Sequence, residues 1–480
     1  MPGVPTSRGC DGCRKQKKKC DQAKPACGRC SRLNIQCLNA GTRRYAFVLG
    51  ISQPTRRRIA PTATDPTIQV APSPVDRLAG QLIARLGVQD VRYDISAYGG
   101  FLKLLPQRLG RSSALDAGVD VFSVAFSNHR GEERSLEVWR KYGFALKAVR
   151  ECLADPKQGP TVNVICAIYL ILLVQARVGR QSEQVVSHEE GLVHLVEALV
   201  NQGPRSEFEA KALSAISTTV IYASLTIPSI RLSPKFWAVA ARLAPPMQAP
   251  APETPEPDEP QGKIYTSFPS LHFLCVGKLP DHLRNPELYL NEIHNNYARG
   301  NKDLPNIRSS LANIAVAQGY SDVTRARLCR DYQAAYAMIL AIVLATNQIL
   351  QAFYPLDTSL PREEDDYIHQ IIDVAEGSRN YIPFGSGFIV GPLSVACAVA
   401  SDPATKARAT ALFRQFIGAF EGEDWIKISE WWRYRFMDIR CCLGSPRPGD
   451  DPVMASETCR LALSSVQCSA SQNYLEVNFH

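Results

Sequence analysis

Between residues 10 and 37 six cysteines stand as Cys10-x2-Cys13-x6-Cys20-x6-Cys27-x2-Cys30-x6-Cys37. A shift of seventeen positions lays the first three on the last three. The repeated element is therefore the ligand pattern itself. A tetrahedral zinc site takes four ligands, so the three thiolates of one half cannot complete a site. Six thiolates can serve two zincs if two sulfurs are shared between them. The spacing predicts a two-metal cluster with two Zn2+ per chain, held by Cys10, Cys13, Cys20, Cys27, Cys30 and Cys37.

A disulfide framework is the alternative for so dense a cysteine run, and it needs an oxidising compartment. Residues 1–7 hold no apolar run that reads as a signal sequence. Lysines also crowd between the cysteines, which a secreted framework does not need. Zinc is the expected partner. The other nine cysteines (Cys152, Cys166, Cys275, Cys329, Cys397, Cys441, Cys442, Cys459, Cys468) show no ligand spacing and are expected to be buried reduced thiols.

The halves match in cysteine and differ in charge. Between Cys13 and Cys20 stand Arg14, Lys15, Gln16, Lys17, Lys18 and Lys19. Between Cys30 and Cys37 stand Ser31, Arg32, Leu33, Asn34, Ile35 and Gln36. A CxxC pair favours a helix start, where backbone N–H groups stabilise thiolates. Each half is then a short helix with an extended return to its third cysteine. On the first helix Arg14, Lys17 and Lys18 fall at i, i+3 and i+4, on one face. That half is expected to meet a polyanion, and the other to complete the cage, with Leu33 and Ile35 as its apolar cover.

The string from Ser7 to Cys37 resembles the fungal binuclear zinc-cluster (Zn2Cys6) DNA-binding domain. The likeness rests on the cysteines, on Arg8-Gly9 before the first, on Arg14 after the second, and on Lys17, Lys19, Asp21 and Lys24-Pro25. It implies that the first and fourth cysteines, here Cys10 and Cys27, bridge the metals. It also implies that the first helix enters the major groove of double-stranded DNA and reads a CGG-type triplet, with Lys17 the best positional match and Lys18 beside it. Gln16 stands where many members carry Arg or Lys. Further implications are a nuclear location and regulation of RNA polymerase II genes, with metabolic or secondary-metabolite sets as candidate targets.

Charge supports that reading independently. Fourteen of the chain's 54 Lys and Arg lie in residues 1–60, with two of its 46 Asp and Glu, leaving 40 basic and 44 acidic residues in the rest. The basic excess is N-terminal, as in a module that neutralises phosphates. Lysine and arginine also suit the guanine acceptors of the major groove. Arg8, Arg14, Lys15, Lys17, Lys18, Lys19, Arg43 and Arg44 are the expected DNA contacts. Tyr45, Phe47 and Val48 would anchor the arm or start a strand.

The fold class expected is mainly α, with a zinc-cluster domain at 8–40, a basic Pro-rich linker at 41–75 and an all-α body at 76–480. Arg56-Arg57-Arg58 with Lys15 to Lys19 reads as a nuclear import signal, or the triplet as a solvated linker. Val75, Leu78, Leu82 and Leu86 form a stripe of two turns before Gly87, too short for a coiled coil. The chain is expected to form a homodimer through its body or to bind as a monomer. Helices are expected near 136–153 (Leu136, Trp139, Leu146, Val149 and Leu153 inward), 162–175, 185–200, 206–226, 323–353, 362–380, 403–420 and 424–441. Residues 136–200 loosely resemble the helical regulatory domain of filamentous-fungal members, which would bind transcriptional co-regulators.

The apolar runs 164–174 and 334–350 fall short of a membrane span and read as bundle helices. Residues 245–261, proline-rich and acidic, read as a disordered loop. No enzyme signature stands out. His188-Glu189-Glu190 with His194 is not HExxH, and Gly385-Ser386-Gly387 is neither a nucleotide fingerprint nor a nucleophile elbow. Glu363 to Asp366 read as a helix N-terminus. The aromatics Trp425, Trp431, Trp432, Tyr434 and Phe436 read as core or partner surface. The rival reading is a zinc-stapled interaction or ligand-sensing protein that does not read DNA.

Overall fold

The computed structural model describes residues 4–5, 9–38, 45–46, 72–127, 132–155, 161–178, 189–200, 203–226, 230–243, 263–418, 425–447 and 450. The chain divides into two compact units, Met1–Val70 and Ala71–His480. In the first, α1 (Asp11–Lys15) and α2 (Gly28–Arg32) are single-turn helices, one per half-repeat, flanked by β1 (Val4–Pro5) and β2 (Tyr45–Ala46). The two strands pair antiparallel, Val4 opposite Ala46 and Pro5 opposite Tyr45. They are the only strands among the described residues, so Tyr45 opens a strand, one of the two roles foreseen for it.

The second unit is helical throughout its described residues, because the apolar positions recur at helical spacing. It opens with α3 (Pro74–Leu86), which starts two residues before the expected boundary. Ser73 and Asp76 close a capping box there, and Pro74 sits where its missing N–H costs nothing. The stripe on α3 turns inward, with Leu82 buried and Leu78 and Leu86 packed on the same core. There follow a 3₁₀ run at Gly100–Arg108, α4 (Ser113–Ala125), α5 (Glu132–Ala154), α6 (Val162–Val178), α7 (Glu189–Val200), α8 (Glu207–Thr226) and α9 (Pro234–Leu243). These close around one core that includes Phe101, Phe122, Ile165, Leu170, Ile216 and Phe236.

The short α10 (Phe273–Val276) packs on that same core through Phe273 and Val276. A second core is built by α11 (Leu279–Arg284), α12 (Leu290–Val316), α13 (Asp322–Phe353), α14 (Ser359–Ser378), α15 (Val390–Val399), α16 (Pro403–Ile417) and α17 (Trp425–Cys442). The cores meet through Phe384, which stands between α14 and α15 yet packs on Phe126 at 5.2 Å. They also meet through fully buried Asp94, which accepts from Arg327 and Arg330 of α13, both at 2.9 Å. A carboxylate that deep is tolerable only when paired.

Helix α13 is long and apolar enough to cross a membrane, the only such helix among the described residues, and it lies buried inside this bundle. Its Asn347 donates to Leu360 O at 3.0 Å, and Gln348 and Gln351 donate to Glu364. Helix α12 approaches it closely at Gly300. A Cβ there would lie 2.2 Å from Cγ1 of Val343, which is fully buried and stiff at χ1. Gly300→Ala should therefore cost about 1–3 kcal/mol by overpacking, read from equilibrium denaturation of the chain. An unchanged midpoint would mean the two helices do not touch at this glycine.

Several expectations need correction. On α5 the buried stripe is Val138, Tyr142, Ala145, Val149 and Cys152, with Trp139 and Leu146 packed on the same core as expected, while Leu136 is 73% and Leu153 41% exposed. Glu363 to Asp366 lie one turn inside α14, which begins at Ser359, and Glu364 is buried. Cys152, Cys166, Cys275 and Cys397 are buried, but Cys329 and Cys441 are partly exposed and Cys442 is exposed. Cys459, Cys468, His188, Arg56 to Arg58 and the 245–261 segment lie outside the described residues. Trp431, Trp432 and Phe436 are core.

Candidate metal centre and nucleic-acid interface

The six cysteines close into a single sulfur cluster. Cys10, Cys13, Cys27 and Cys30 are buried, and Cys20 and Cys37 pack against them. Their sulfurs fall into two groups of four, Cys10-Cys13-Cys20-Cys27 and Cys10-Cys27-Cys30-Cys37, each within 4.8 Å of one another. Cys10 and Cys27 belong to both groups. Cys10 Sγ lies 3.8 Å from Cys27 Sγ and 3.5 Å from Cys30 Sγ, and Cys13 Sγ lies 3.7 Å from Cys27 Sγ. Four sulfurs about 2.3 Å from one zinc stand about 3.8 Å apart along a tetrahedral edge. The donor set therefore fits two tetrahedral ions with two common sulfurs.

Backbone geometry repeats with the cysteines. Cys13 N–H donates to Cys10 Sγ and Cys30 N–H to Cys27 Sγ, each at 3.4 Å. Cys10 N–H reaches Cys20 Sγ at 3.4 Å, and Cys27 N–H reaches Cys37 Sγ at 3.3 Å. Those N–H bonds from Cys13 and Cys30 hold the Cys10 and Cys27 thiols below their ordinary values. Burial pushes the Cys13 thiol up to about 12, and Cys30 is raised chiefly by the adjoining Cys27 sulfur. The two sulfurs common to both groups thus ionise more readily than those of Cys13 and Cys30. Cys13 and Cys30 need cations beside them to ionise, which bound zinc would supply.

Each helix ends on the same device. Lys17 has φ 51° and Asn34 φ 46°, both left-handed. The next residues bond back to the second cysteine of each half, Lys18 N–H to Cys13 O at 2.9 Å and Ile35 N–H to Cys30 O at 3.1 Å. This six-residue closure is a Schellman end. It stops α1 at Lys15, so the expected face of Arg14, Lys17 and Lys18 on one helix does not form. Only six residues separate Cys13 from Cys20, and the chain must turn back to the cluster within them.

Lys15, Lys17, Lys18 and Lys19 are all exposed, as are Lys24 and Arg32. Arg14 lies within α1, and Arg8, Arg43 and Arg44 lie outside the described residues. Leu33, Ile35 and Leu38 are 50%, 39% and 49% exposed. The expected apolar cover is therefore thin, and sulfur fills the interior.

Two hydrogen bonds between the halves escaped sequence reasoning. Arg29 Nη2 donates to Gln16 Oε1 at 2.9 Å, tying the end of α1 to α2. Gly28 N–H, at the head of α2, donates to the Asp21 carboxylate at 3.0 Å. A Cβ on residue 28 would stand 2.9 Å from Asp21 Oδ2, so a larger residue there would have to push the Asp21 carboxylate aside. An acid directly after Cys20 and a glycine directly after Cys27 were the available signals.

What these features define is a cysteine-only module shaped for two metal ions with a lysine-rich turn on its surface. Residues 8–45 match the family described as the fungal Zn(2)-Cys(6) binuclear cluster domain. The chain thus carries two zinc ions in a domain of that family and is a zinc-cluster DNA-binding transcription regulator. No curated protein and no solved structure matches it.

Proposed function

We propose that the chain is a nuclear, sequence-specific regulator of RNA polymerase II genes, in which residues 8–40 read CGG-type triplets, 41–75 act as a linker and the body from 76 onward binds co-regulators or a second copy. Metabolic gene sets are the candidate targets. The metal ligands are the six cysteines, with Cys10 and Cys27 as bridges. One observation carries the reading: a sulfur cage fit for two ions holds four exposed lysines, Lys15, Lys17, Lys18 and Lys19, along one short turn. Lysine donors suit the O6 and N7 acceptors of guanine, and the remaining cations, with Arg8, Arg14, Arg43 and Arg44 among them, would track phosphates and fix register.

Fluorescence anisotropy on CGG-containing and scrambled duplexes tests it. Equal affinity for both would leave the rival reading, an interaction protein that does not read bases. Lys17 is the sharpest probe, because its left-handed backbone suits glycine. Lys17→Gly removes the cation while keeping the turn. It should lose roughly 1–3 kcal/mol of discrimination at the triplet with zinc content unchanged. Full discrimination in that variant would take Lys17 out of the reading set.

A further inference from the structure

In the body, a cleft of about 330 Å³ opens between the end of the 3₁₀ run at Gly100–Arg108 and the first turns of α6 and α8. That volume lies at the low end of the roughly 300–1,000 Å³ usual for small-molecule pockets. Its polar wall is Arg108, Thr161, Asn163, Arg205 and Glu209, and its apolar wall includes Val162, Leu199 and Leu213.

Arg108 is held in a fixed pose. Its guanidinium lies over the Phe208 ring at 4.5 Å, and Nε and Nη2 donate to Asn163 Oδ1 at 3.4 and 3.3 Å. Those bonds use one edge of the fork. The other edge, Nη1 with Nη2, can take a carboxylate end-on in two parallel bonds. Among the described residues no carboxylate pairs with Arg108. Glu209 spends Oε2 on the backbone N–H of Arg205 at 2.6 Å. With Arg108 and Arg205 against Glu209, the wall carries one net positive charge. The first turns of α6 and α8 add the positive ends of their dipoles.

We propose that this cleft binds a small organic acid, its carboxylate on the open edge of Arg108 and its hydrocarbon part against Val162, Leu199 and Leu213. Stacking and the Asn163 bond pre-orient the fork, so little side-chain freedom remains to be lost on binding.

Calorimetric titration of the full chain with 4-methylpentanoate and with phenylacetate, each beside its uncharged amide, tests this. At least one acid should bind saturably, one per chain, at millimolar concentration or below, and its amide at least about tenfold more weakly. Arg108→Lys keeps the charge but loses the fork and should weaken the acid by a similar factor. Asn163→Asp supplies the missing carboxylate at the start of α6, where an acid is favourable. It should abolish acid binding while leaving the thermal midpoint unchanged or higher, a pairing that a merely structural role for Asn163 would not give. The proposal is overturned if neither acid binds saturably, if acid and amide bind alike, or if Asn163→Asp binds as the parent chain does.

Discussion

Changing Cys10 or Cys27 to serine is expected to remove both zinc ions from the chain, whereas changing Cys13, Cys20, Cys30 or Cys37 should chiefly disturb one. Cys10 and Cys27 are the only cysteines found in both sulfur groups, so a lesion at either leaves each ion three thiolates at most. A peripheral lesion leaves the other group of four complete. The effect on folding is large, because structural zinc in small modules contributes about 10–16 kcal/mol of apparent binding energy that is also folding energy. Among the described residues of this unit no hydrocarbon core compensates, since the buried side chains there are cysteines. Metal analysis of purified full-length variants reads the result directly. A Cys10→Ser chain that retains one firmly bound zinc would show that the two sites do not share this sulfur.

Affinity for DNA is expected to collapse with salt. If about five phosphates are neutralised, log K falls with log salt at a slope of about −4.5, and raising salt from about 50 to 200 mM weakens binding on the order of 10²–10³-fold. The cations needed are present, with Lys15, Lys17, Lys18, Lys19, Lys24 and Arg32 all exposed. They lie in the one part of the chain with a basic excess, residues 61–480 holding 40 basic and 44 acidic residues. Charge reversal at Lys18 or Lys19 should lower affinity for CGG and scrambled duplexes alike and flatten the slope by about one for each phosphate no longer neutralised. A titration without slope would place the lysines away from the phosphates.

Much of the metal centre was legible before any coordinates, because ligand spacing is a local property. The seventeen-residue repeat foretold the cysteine cluster and a pair of shared sulfurs. Where each helix stops was not legible. Lys17 occupies a left-handed position usually held by glycine, so nothing in its side chain announced a Schellman end; only Asn34, at the matching position of the second half, is a residue that commonly adopts it. The helix face drawn through Arg14, Lys17 and Lys18 was a projection of 3.6-residue spacing past the point where the cluster turns the chain back.

In the body, strongly periodic segments such as α6, α8 and α13 were found to within a few residues. Helix α12 was missed because Asn295, Asn296, Gly300 and Pro305 depress its local propensity. Packing against α13 through Ile293, Tyr297, Leu304 and Ile307 overrides that preference. Helix α15 was missed because it is apolar nearly all round and shows no helical periodicity. The Gln16–Arg29 and Asp21–Gly28 bonds depend on how the halves fold over one another, which no reading of one half alone supplies.

An interior made of sulfur ties the genome-facing end of this chain to mineral supply. The helical body folds on hydrocarbon and holds its shape whatever the metal status of its surroundings. The N-terminal module persists only while ions fill its cage. Starvation for zinc would therefore silence promoter occupancy first, leaving an intact but unmoored body.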